Sequence, residues 1–141
     1  MSIEEENKAV IQRFVDELNK GNLAIMDESL ADNFVRTAPN QPDMEKEGYK
    51  QFMGRINDSF PDIQCSIDDI VAEGDKVAYR TTITGTHNGN LMGIAPTGKQ
   101  FKITEDYFSR LEGGKIVEHD NLYDMLSFYQ QLGITPLKVT G

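Results

Sequence analysis

YFSRLEGGKIVEHDNLYD, from Tyr107 to Asp124, is the stretch whose reading decides the fold. Two polar, alternating runs flank Gly113-Gly114, the pair that a two-residue hairpin turn demands because both positions need positive φ. Successive side chains of a strand point to opposite faces, so each face of this hairpin presents polar groups at fixed spacing. A tyrosine, a histidine, an asparagine and several carboxylates fall within it. If they face a cavity, the hairpin can supply acid and base groups; if they face solvent, it cannot.

The pairing can be read in two registers. With Arg110 opposite Ile116, Tyr107 faces His119 and Glu105 faces Asn121, and these four share a face. With a turn one residue shorter, Asp106 pairs with Asn121 and Phe108 with His119. The first register is favoured. It gathers donors with acceptors and leaves the like-charged Asp106, Glu118 and Asp120 in solvent, where repulsion is weak.

Outward from the hairpin, the period of two continues upstream. Phe101–Leu111 is the first arm. Val77, Tyr79, Thr81 and Ile83 form a strand rich in β-branched and aromatic residues, and Cys65 and Ile67 mark another before a Glu73-Gly74-Asp75 turn. Gly85 to Gly98 is a long glycine-rich connection. The N-terminal part has a helical period. Ser2 with Glu5 is a capping box ahead of Val10, Phe14 and Leu18, and Gly21 ends that helix. Leu23, Met26, Leu30 and Phe34 predict a second helix, residues 35–44 a loop, and Tyr49, Phe52, Met53, Ile56 and Phe60 a third helix stopped by Pro61. Downstream, Asp124 is placed to cap a last helix over 125–132, closed by Gly133 and Pro136. Three helices, a run of antiparallel strands and a short helix predict an α+β fold in which helices lie on one side of a curved antiparallel sheet. Such a sheet leaves a cone-shaped pocket between its layers.

The chain has 141 residues, which reads as one domain spanning 1–141. Its 14 Lys and Arg against 23 Asp and Glu give a net charge of −9, which repels nucleic acid and anionic membrane surfaces. The one cysteine, Cys65, excludes an internal disulfide. The acidic start MSIEEENK is unlike a signal peptide, and no apolar run reaches membrane length, so a cytoplasmic location is expected. Two histidines with no HxH or HExxH spacing give no metal site.

Several local patterns together resemble the SnoaL-like polyketide cyclases and the related ester cyclases of the nuclear transport factor 2-like superfamily. They are Phe60-Pro61-Asp62, Glu73-Gly74-Asp75-Lys76-Val77-Ala78, Gly85-Thr86-His87-Asn88-Gly89 followed by Pro96-Thr97-Gly98-Lys99, Arg110 followed by Gly114-Lys115-Ile116-Val117-Glu118-His119, and Gln130-Gln131-Leu132-Gly133. The resemblance implies a cone-shaped, cystatin-like α+β barrel, a homodimer through the sheet face, and a small hydrophobic ligand in an enclosed pocket. It also implies ring closure by intramolecular aldol condensation without metal or organic cofactor.

In the family an aspartate late in the last long strand acts as acid and base. Here that position matches Asn121, and a shifted alignment places it at Asp120 or Asp124. Asparagine has no proton to exchange in this role. The family's polar pair on the preceding strand matches Glu105 and Tyr107, and Thr37 stands where relatives carry histidine. Glu105 and His119 are therefore the expected proton-transfer groups, with Asn121 and Tyr107 hydrogen-bonding substrate oxygens, His87 at the pocket rim and Asp124 either a helix cap or a further polar contact. The expected function is a cyclase- or isomerase-type enzyme acting on a small apolar carbonyl compound. The alternative is a non-catalytic ligand-binding or dimerisation module of the same fold, which Asn121 favours.

Overall fold

The computed structural model describes residues 1–134. Along the chain run α1 Ile3–Asn19, α2 Ile25–Ser29, β1 Leu30–Thr37, β2 Met44–Glu45, α3 Lys46–Ser59, β3 Gln64–Glu73, β4 Lys76–Thr86, β5 Gln100–Glu112, β6 Lys115–Tyr123 and α4 Met125–Gln131. Pro136 lies outside the described residues. The strands form one curved, unclosed sheet in the order β2-β1-β6-β5-β4-β3. Every neighbouring pair is antiparallel except β1 with β6, which is parallel. The α+β expectation holds.

The helices form for the reasons the sequence suggests. Ser2 Oγ accepts the Glu5 N–H at 3.1 Å, a cap worth about 1 kcal/mol. Ile11, Phe14 and Val15 make the buried stripe of α1, and Gly21 leaves the helix at φ 79°. Asp124 Oδ1 accepts the Ser127 N–H at 2.9 Å and starts α4. No described helix is long and apolar enough to cross a membrane.

Two expectations are corrected. The helix predicted over Leu23 to Phe34 stops at Ser29, and the predicted loop at 35–44 begins as strand. The spacing from Leu30 to Phe34 is even, and residues four apart share a face in a helix and in a strand alike. The β-branched Val35 and Thr37, with Phe34 and Arg36 alternating against them, settle the matter in favour of a strand. The sheet is therefore mixed, and Arg36 comes to lie beside His119 in the β1–β6 register.

The hairpin register is the second correction, since neither expected pairing occurs. Gly113 and Gly114, at φ 55° and 77°, form the two-residue turn, and Leu111 pairs with Ile116. A bulge follows: Val117 is extra, Ile116 and Val117 are both buried, and Arg110 pairs with Glu118. Beyond it Ser109 meets His119, Tyr107 meets Asn121 and Glu105 meets Tyr123. The pairing is thus offset by two residues from the favoured reading. An even offset preserves the facing of every side chain, so Glu105, Tyr107, His119 and Asn121 still share the inner face.

Two apolar clusters fill the space between helices and sheet. One joins α1 and α2 to Phe34, Tyr49, Val77, Tyr79 and Ile116. The other joins Phe60, Ile83, Leu91, Phe101, Phe128 and Leu132. The loop after β4 is pinned to the end of α3, where the Ser59 carbonyl accepts the Asn88 and Gly89 N–H groups at 3.1 and 3.0 Å. A Cβ at Gly89 would stand 1.9 Å from the Asp58 carbonyl oxygen, so only glycine permits this approach.

Candidate active site

A cavity of about 300 Å³ opens between the helices and the inner face of the sheet. Its wall is mostly apolar, with Phe60, Ile83, Phe101 and Phe128 from the second cluster contributing one part. Its polar lining includes Gln41, which follows β1, and five side chains from the sheet: Arg36, Glu105, Tyr107, His119 and Asn121. Three neighbouring strands deliver the five from the sheet: β1 the arginine, β5 the carboxylate and the tyrosine, and β6 the histidine and the asparagine.

Glu105 is 8% exposed and both its oxygens are occupied. Tyr107, two residues along the same face, donates its hydroxyl to Oε1 at 2.5 Å, and Asn121 Nδ2 donates to Oε2 at 2.5 Å. Behind the asparagine, Arg36 Nε donates to Asn121 Oδ1 at 2.8 Å. Arginine only donates and an ionised carboxylate only accepts, so the amide between them has one permitted orientation. Asn121 thus links a buried cation to a buried carboxylate without adding charge.

Burial pushes the Glu105 carboxyl above its ordinary range, while the bonds from Tyr107 and Asn121 and the charge of Arg36 pull against it. A carboxyl shifted upward in a dry site is suited to accepting a proton and handing it back near neutral pH. Burial, with the Glu105 charge behind it, also drives the Tyr107 phenol up, which keeps its proton in place for donation.

His119 is enclosed by the rings of Phe14, Phe34, Tyr49 and Tyr107, with centroids 5.0–6.4 Å away. Its Nδ1 meets the Ser109 hydroxyl at 3.0 Å. Burial first, and the Arg36 charge second, hold the imidazole down to about 3. It is therefore neutral at physiological pH, a hydrogen-bonding group and a weak base.

His87 and Asp124 lie apart from the other four sequence candidates. His87 is fully buried, outside the cavity lining, and packs against Phe60 with ring centroids 5.6 Å apart. Its Nδ1 accepts the Thr97 N–H at 3.2 Å, and its Nε2 has no partner. Asp124 caps α4 and is likewise absent from the lining. Arg36 was hidden to sequence reasoning because residues 35–44 read as a loop; its alternation with Phe34 was the available signal. Among the described residues no three His, Cys, Asp or Glu side chains converge as metal ligands.

Comparison with known proteins adds a common descent to this geometry. Residues 9–132 match the family model described as SnoaL-like polyketide cyclase. Aklanonic acid methyl ester cyclase DauD from a Streptomyces species is 26% identical over 129 residues, covering 88% of this chain and 80% of DauD. IdmH of Streptomyces antibioticus, named as a candidate polyketide cyclase, is 31% identical with a TM-score of 0.80, over 91% of this chain and 99% of IdmH. AclR of Streptomyces galilaeus, named as a candidate hydroxylase, is 28% identical with a TM-score of 0.85, over 97% of this chain and 91% of AclR.

Proposed function

This chain belongs to the SnoaL-like polyketide cyclase family, and from that premise we propose that it is a cyclase-type enzyme acting on a small, mostly apolar carbonyl compound. The single observation that carries the reading is Glu105, enclosed at the polar wall of a mostly apolar cavity with both oxygens held by neutral donors.

Ring closure then proceeds through an enolate. The Glu105 carboxylate takes a proton from a carbon beside a carbonyl, and the bonding pair moves onto the carbonyl oxygen to give an enolate. The enolate carbon attacks a second carbonyl of the same molecule, forming a C–C bond and leaving an alkoxide. The proton held by Glu105 passes to that alkoxide, which restores the carboxylate. Protonation of Glu105 weakens its hold on Tyr107 and Asn121, freeing those donors for the substrate oxygens as charge develops there. Neutral His119 serves as a further hydrogen-bonding group.

A thermal-shift screen with ring ketones, lactones and polyketide-like aromatics tests the binding part. Ligands should stabilise both the native protein and Glu105→Gln, which keeps the shape and removes the base. Turnover of a ligand so found should be lost in Glu105→Gln; turnover that survives would remove Glu105 as the base.

The same reading includes a cytoplasmic homodimer. Val71, Phe108 and Leu122 stand 60%, 51% and 58% exposed on the outer face of the sheet. Val71, Ala78 and Phe108 lie in one row across β3, β4 and β5. Apolar rows on an open sheet face suit a self-complementary interface. Light scattering at micromolar concentration should return twice the chain mass; a monomer mass would remove the dimer from the proposal.

A further inference from the structure

Arg36 is 2% exposed, yet among the described residues it forms no ion pair. Its Nε bonds Asn121 Oδ1 and its Nη1 bonds Gln41 Oε1 at 2.9 Å, both neutral acceptors. The guanidinium lies 5.2 Å from the centroid of the Phe52 ring, another uncharged neighbour. Nη2 carries no hydrogen bond among the described residues, and Arg36 lines the cavity. A cation withdrawn from water is costly unless an anion faces it. The nearest bonded path to a carboxylate runs through Asn121, which separates Arg36 from Glu105.

We propose that Arg36 is a further catalytic residue, one that binds the anionic oxygen of the substrate so that the enolate forms against the guanidinium. This deepens the reading of Glu105 as base and rests on it. When Glu105 takes the carbon-bound proton, it loses its charge, and the electron pair released appears on the oxygen that faces Arg36. Negative charge moves from one side of Asn121 to the other without leaving the cavity. The spare N–H groups of Nη2 supply a directed charge-assisted bond at the place where the charge arrives.

The experiment uses nitrophenols of graded acidity as enolate mimics, with absorbance reporting phenolate in the bound state, and nitrobenzene as the uncharged control. The native protein should bind the phenolate at pH values below the ligand's own pKa. Arg36→Met should weaken phenolate binding by roughly tenfold or more relative to nitrobenzene binding. Arg36→Lys keeps the charge without the planar fork and should fall between. Should Arg36→Met fail to fold, the ionisation state on native protein and the Arg36→Lys affinity still decide. Neutral phenol bound by native protein, or phenolate preference retained without Arg36, overturns the inference. Glu105→Gln separates the two readings: phenolate preference should persist in it, now with a proton released to solvent. Loss of the base reading would instead show as turnover surviving in Glu105→Gln.

Discussion

Replacing Asn121 by aspartate tests the charge design of the site most sharply. The amide donates to Glu105 at 2.5 Å and accepts from Arg36 at 2.8 Å. Asn121→Asp keeps the bond to Arg36 and turns the bond to Glu105 into a contact between two acceptors. Resting charge on the three groups goes from zero, with one carboxylate and one guanidinium, to minus one. Two charges about 4 Å apart at an effective dielectric constant of about 20 repel by about 4 kcal/mol, equivalent to about 3 pKa units. Arg36 holds the charge at position 121, so the pair takes up one proton near Glu105 and titrates as a unit. A carboxyl raised in the folded state contributes stability below its unfolded pKa and loses it as pH rises through the folded value. The variant should therefore match the native protein near pH 4 and fall progressively behind it toward pH 8. Carboxyl carbon NMR on labelled Glu and Asp, with urea unfolding across that range, measures both effects. Two fully ionised carboxylates at pH 7 with undiminished stability would refute the reasoning.

Acid stability should carry the mark of His119. Its folded pKa, about 3 against an ordinary 6.5, lies below the unfolded one; its contribution is therefore complete above 6.5 and is lost as pH falls toward 3, on the order of 3 kcal/mol between pH 7 and pH 4. Urea unfolding should show that loss in the native protein and a flatter profile in His119→Gln, while equal slopes would contradict the burial account. Gly89→Ala should destabilise by about 3 kcal/mol or more, since its Cβ meets the Asp58 carbonyl at 1.9 Å. A melting temperature unchanged by that substitution would show that the loop does not rest on α3 as described.

The architecture was legible where periodicity and turn chemistry agree. Gly113-Gly114 located the hairpin, Ser2 and Asp124 the starts of α1 and α4, and the alternation at 77–83 a strand. The bulge at Val117 had a sequence sign that the reading passed over: Ile116 and Val117 are adjacent apolar residues, which breaks the period of two. The polar face survived the error because the offset is even; an odd offset would have sent Glu105 to solvent. β1 was missed where helix and strand spacing coincide at Leu30 and Phe34, and Arg36 was missed with it. His87 shows the opposite limit, since a histidine in a glycine-rich loop gives no sequence sign that Phe60 and Thr97 will enclose it.

Proton transfer by Glu105 inside the cavity has a direct test that needs no knowledge of the natural substrate. A 1,3-dicarbonyl compound found to bind is incubated in deuterated buffer, and exchange of its acidic C–H is followed by proton NMR. The native protein should accelerate exchange, and Glu105→Gln, with the same affinity for the compound, should lose roughly 10²–10⁴-fold of that rate. Equal exchange rates in the two proteins at equal occupancy would contradict the claim.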